Sequence, residues 1–69
     1  MKDFLVQMMG KKLDIACSGT ASVRGEVVDV KDGIVYLRDE NERVAYVSID
    51  KIAVVWEVNE SENRAGFVL

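Results

Sequence analysis

Ala21-Ser22-Val23-Arg24-Gly25-Glu26-Val27-Val28-Asp29-Val30-Lys31-Asp32-Gly33-Ile34-Val35-Tyr36-Leu37 is the stretch that decides the fold. Val23, Gly25 and Val27 alternate with charged residues, which is the period of a half-buried strand. Val28 and Val30 then put apolar groups on the opposite face. A phase change beside a glycine marks a bulge or sharp bend. Asp32-Gly33 between two apolar runs predicts a two-residue type I′ hairpin, whose central residues both need positive φ. Ile34-Val35-Tyr36-Leu37 is apolar on both faces and is expected to be interior to a sheet.

On the N-terminal side, Leu13, Ile15 and Cys17 alternate with Asp14, Ala16 and Ser18, giving an earlier strand that turns at Ser18-Gly19-Thr20. Before it, Phe4, Leu5, Met8 and Met9 share one helical face, with Asp3 as N-cap and Gly10 as the stop. The expected helix covers about residues 3–9 and is too short to stand alone. On the C-terminal side, Asp39-Glu40-Asn41-Glu42 reads as a solvated turn, Val44 to Ile49 as a fourth strand and Asp50-Lys51 as a tight corner. The last strand, Ile52 to Val58, has Ile52, Val54, Trp56 and Val58 on one face and Ala53 and Val55 on the other. Residues 1–58 form one domain and 59–69 a polar tail ending in Phe67-Val68-Leu69. Five short strands with two apolar faces are expected to curl into a mainly β, strongly bent antiparallel small barrel capped by the helix.

The order and several short elements resemble the Sm-like (SH3-like) family of Sm, LSm and Hfq proteins over residues 4–58. They are Phe4-Leu5 in the helix, Val23-Arg24-Gly25-Glu26-Val27 with Val30 in the bent strand, Ile34-Val35-Tyr36-Leu37, and Ile49-Asp50-Lys51-Ile52 at the corner. The resemblance implies a ring in which the fourth strand of one subunit pairs with the fifth of the next. It implies Val47, Ile49, Val54 and Trp56 as interface residues. The family's RNA-pocket residues are not matched. Lys31-Asp32-Gly33-Ile34 stands where Sm proteins carry an Asp-x-x-Met-Asn-like element. Tyr46-Val47-Ser48 stands where Hfq has Tyr-Lys-His, and Asp50-Lys51 replaces the Sm Arg-Gly pair.

Composition narrows the function. In 69 residues there are no histidines and one cysteine, Cys17, so neither an internal disulfide nor a Cys/His zinc site within one chain can form. Cys17 reads as a small core residue. Catalysis and cofactors are not expected, because no base accompanies the thiol and the glycines lack a phosphate-cradling spacing. No apolar run reaches the roughly 20 residues of a membrane span, and a cytoplasmic location is expected. A net charge of −3 argues against general phosphate-backbone binding. A domain this small usually needs a staple, and the staple left is a second copy of the chain, in a ring. Two functions stay open. One is RNA or DNA binding at a noncanonical surface of Lys31, Tyr46 and Lys51; Tyr36 and Tyr46 read first as half-buried packing residues or interface anchors, and only second as residues that stack on bases. The other is a scaffold or regulatory module that binds protein or only itself.

Overall fold

A computed structural model describes residues 1–58 except Thr20. The elements are α1 (Lys2–Gln7), β1 (Lys12–Cys17), β2 (Ser22–Lys31), β3 (Ile34–Arg38), β4 (Val44–Ser48), a 3-10 turn (Ile49–Lys51) and β5 (Ile52–Glu57). The expected tail lies outside the described residues. Five antiparallel strands form one sheet in the order β4-β3-β2-β1-β5. The expected barrel does not close within the chain, because β4 and β5 are opposite edges and do not pair.

The sheet nevertheless curls. Leu13, Ile15, Val27, Val35, Leu37 and Val47 form one buried cluster with Leu5 of the helix. Ile52 and Val55 of the far edge pack against the same cluster. A flat five-stranded sheet would hold its edge strands about 19 Å apart at the usual strand spacing, so one cluster requires curvature. Two irregularities supply it. In β2 the register shifts between Val27 and Asp29, so an extra residue faces Tyr36 of β3. This bulge corrects the expected phase change: Val30 joins Val27 against the core instead of facing away. At Gly25 an added Cβ would lie 2.8 Å from the carbonyl oxygen of Arg38. β2 and β3 approach so closely there that only glycine fits.

The hairpin follows its expectation. Asp32 and Gly33 have φ of 54° and 75°, the positive values of a type I′ turn. The helix differs at both ends. It starts at Lys2 and ends at Gln7, and its N-cap is Met1, with no side-chain cap bond. Asp3 therefore sits in the first turn, where its charge complements the helix dipole, and is not the cap. Leu5 is the helix residue fully buried in the core. Met8 closes the helix, and the N–H of Gly10, at φ 84°, donates to the Val27 carbonyl at 2.9 Å. That bond, with Val27 N–H donating to Lys11, ties the helix exit to β2.

The last strand also departs from simple alternation. Cys17 pairs with Ile52 and Ala16 with Val54, so a bulge at Ala53 shifts the phase. Ile52 and Val55 face the core, while Val54 and Trp56 face out. The expected apolar face of Ile52, Val54 and Trp56 is thus split by the bulge. Cys17 is partly buried and packs against the core, close to its expected place.

Candidate functional site

β3 and β4 are joined by a turn held by Asp39. Its carboxylate accepts hydrogen bonds from the backbone N–H of Arg43 and of Asn41 and from the Arg43 Nε. This turn sets a register in which Tyr36 lies opposite Tyr46. Their rings meet edge to face, with centroids 5.0 Å apart and planes at 61°. Tyr36 is half-buried, whereas Tyr46 is 67% exposed. The Lys31 ammonium lies 5.7 Å from the centre of the Tyr36 ring and 3.7 Å from an Asp29 carboxylate oxygen. Two of the three expected nucleic-acid residues, Lys31 and Tyr46, are thereby brought together, and Tyr36 is the residue that joins them.

Lys51 reaches the same end of the sheet by another route. It ends the 3-10 turn, whose first residue, Ile49, donates its N–H to the Gly33 carbonyl of the β2–β3 hairpin at 2.9 Å. Lys51 forms no ion pair with another described residue. The acids Asp32 and Asp50 flank the two lysines in sequence. The hairpin end therefore carries balanced charge with no concentration of cations, and the aromatic pair lies beside it at the middle of β3 and β4. Tyr36 was the residue that sequence reading left outside the site proper. The symmetry of β3 and β4 about Asn41 places it opposite Tyr46, but that centre shows only once the turn is known.

The four expected interface residues separate. Val47 is buried in the core and Ile49 packs against its border. Val54 and Trp56 are exposed on β5, Trp56 by 65%, so Trp56 is not a core tryptophan. On the opposite edge, Val44 and Tyr46 of β4 are exposed in the same alternating manner. Both open edges of the sheet thus display a pair of large apolar side chains on the face away from the core.

The rest of that outer face is charged. Arg24 pairs with Asp14 at 3.2 Å and Arg38 with Glu26 at 3.1 Å. Arg24, Glu26 and Arg38, with Lys12, Gly25 and the Asp39–Glu42 turn, line an open cleft of about 490 Å³. Its arginines are each matched by a carboxylate, so it is a neutralised surface and not an anion trap. Asp14 Oδ1 is buried without a hydrogen-bond partner. No group of three or more Cys, Asp or Glu among the described residues is arranged to hold a metal. No described helix is long and apolar enough to cross a membrane.

A family model described as a domain of unknown function (DUF6897) matches residues 1–58, which span the helix and all five strands. No curated protein and no solved structure matches the chain.

Proposed function

The chain belongs to the DUF6897 family, and we propose that it is a cytoplasmic, non-enzymatic Sm-like module that assembles head to tail into a ring and binds RNA or DNA. One observation carries the assembly: the sheet has two unpaired edges, and both bear exposed apolar pairs, Val44 and Tyr46 on β4 and Val54 and Trp56 on β5. Open edges with unpaired N–H and C=O groups are templates for another strand. Because the two edges differ, joining β4 of one subunit to β5 of the next is a heterologous contact, which closes into a ring when the rotation permits. The strand order, the bent β2 and the short 3-10 corner before β5 support the Sm-like reading.

The nucleic-acid part rests on the Lys31–Tyr36–Tyr46 cluster with Lys51 at the same end. A second reading, a scaffold that binds protein or only itself, is favoured by the pairing of Arg24, Arg38 and Lys31 with carboxylates. Fluorescence anisotropy of labelled oligo-U and oligo-A, alongside sedimentation of the same samples, separates these readings. The proposal expects an oligomer that raises the anisotropy at micromolar protein. An oligomer that leaves both oligonucleotides free would leave the scaffold reading. A monomer at the same concentration would remove the ring from either reading.

A further inference from the structure

The large hydrophobic residues exposed among the described residues fall into two groups. Val44, Tyr46, Val54 and Trp56 lie on the two sheet edges, where the assembly proposed above would account for them. Met1, Phe4, Val6 and Met9 lie on or beside α1, and the pairing of strand edges gives no reason for them. Successive helix residues turn by about 100°, so Phe4 and Val6 flank the buried Leu5 on opposite sides. Met9 stands three positions beyond Val6 and shares its side. Val6 and Met9 are each 45% exposed. A six-residue helix has no stability of its own, so it gains from any apolar group that covers this flank.

The chain carries a group that can do so. After Val58 the sequence runs Asn59-Glu60-Ser61-Glu62-Asn63-Arg64-Ala65-Gly66 and then Phe67-Val68-Leu69, the one apolar run beyond β5. Its starting point is fixed near the helix. The Val58 N–H donates to the Lys12 carbonyl at 3.1 Å, and Lys12 is three positions past Met9. Three residues plus one strand spacing put Met9 within about 16 Å of Val58. The eight residues 59–66 reach at most about 28 Å, so they span this gap without a long excess. Lys11 is exposed at the helix exit, and the acids Glu60 and Glu62 at the start of the link complement its charge. We propose that Phe67-Val68-Leu69 docks in cis on the Val6–Met9 flank of α1 and clips the helix to the end of β5. A short link holds its anchor at an effective concentration on the order of millimolar, so at micromolar protein the tail of a second copy competes poorly. The clip closes a loop between the two ends of the domain, the task that a disulfide or metal performs in other small folds. It stands whether or not the sheet edges assemble.

The test is nuclear magnetic resonance on the full chain with isotope-labelled methionine methyl groups. The methionines Met1, Met8 and Met9 all lie in the first nine residues, so every label reports on the helix. In the wild type, Overhauser contacts are expected between the Phe67 ring and the Met9 methyl. Phe67→Ser is expected to abolish them and to move the Met9 signal. It is also expected to speed exchange of the Leu5, Met8 and Met9 amides, which bond to Met1, Leu5 and Val6, by about tenfold, the worth of one half-buried phenylalanine. This variant leaves every buried core residue in place. Phe67→Leu keeps an apolar anchor and the slow exchange. Val6→Ser, at an exposed position, acts like Phe67→Ser, and the two together are no worse than either alone. Phe4→Ser, on the other flank, leaves the Phe67 effect intact. Labelled Phe67→Ser mixed with excess unlabelled wild type keeps its displaced Met9 signal, because each wild-type tail stays on its own helix. A Met9 signal and helix exchange that ignore Phe67→Ser would overturn the docking. Additive effects of Val6→Ser and Phe67→Ser, or a Phe67 effect lost in Phe4→Ser, would overturn the choice of flank. A Met9 signal restored in the mixed sample would overturn docking in cis and assign the flank to the tail of a second copy.

Discussion

Gly25 acts through a contact across the sheet, and Asp39 through contacts within the β3–β4 turn. At Gly25 the nearest atoms to an added Cβ are the backbone oxygen, carbon and nitrogen of Arg38, at 2.8, 3.1 and 3.2 Å. Backbone cannot swing aside as a side chain can. Gly25→Ala is expected to destabilise the fold by about 1–3 kcal/mol, the range for overpacking, seen as a lower urea midpoint. An unchanged midpoint would mean that β2 and β3 can separate at this point freely. The sequence marked Gly25 as a bend, but the partner it makes room for, Arg38, is thirteen positions away and is brought there by the hairpin. At Asp39, the Arg43 backbone N–H foremost, with the Asn41 N–H and the Arg43 guanidinium, holds the carboxyl below its ordinary value against the opposing effect of desolvation. A pKa lower in the folded state means the stabilisation is complete above the unfolded value of about 4 and is lost as pH falls through the folded value. Asp39→Asn is expected to flatten the fall in urea midpoint below about pH 4 relative to the wild type. Parallel pH curves for the two proteins would show that Asp39 does not hold the turn.

Elements gain their limits from packing more than from local preference. The helix is fixed to the sheet by Leu5, which is fully buried, while Phe4, Val6 and Met9 remain partly in solvent. A six-residue helix has no stability of its own, so Leu5→Ala removes both a core side chain and the reason for the helix. It is expected to cost about 2–5 kcal/mol and to reduce the helical signal in circular dichroism. A loss well below that range, with the helical signal intact, would contradict the single-anchor view. The periodicity of Phe4, Leu5, Met8 and Met9 identified this helix but not its ends, because the last turn is given up to the bonds that link Gly10 and Lys11 to β2. The Asp32-Gly33 hairpin was fully legible, since its turn chemistry is local. β5 was not: the bulge at Ala53 is set by pairing with β1, and it decides that Val54 and Trp56 face solvent while Ile52 and Val55 face the core. For the same reason the candidate site was read in part. Lys31 and Tyr46 stood out as residues, but Tyr36 joins them only through the β3–β4 register.

At the scale of the whole molecule, the small size and the open sheet favour the same proposal, assembly through the sheet edges. A single chain curls its five strands around seven buried side chains but leaves β4 and β5 unpaired at opposite edges. With no disulfide available and no histidine for a metal site, the proposed pairing of these edges between copies would satisfy the backbone and add the stability that a domain this small lacks. Residue-resolved amide hydrogen exchange tests this most directly, reading the β4 and β5 N–H groups that β3 and β1 leave unpaired. At micromolar concentration these edge amides are expected to be protected in the wild type, and to lose that protection in Val54→Lys while the amides of β1, β2 and β3 keep theirs. Edge amides that exchange freely in the wild type, at every concentration at which the core stays protected, would contradict the account.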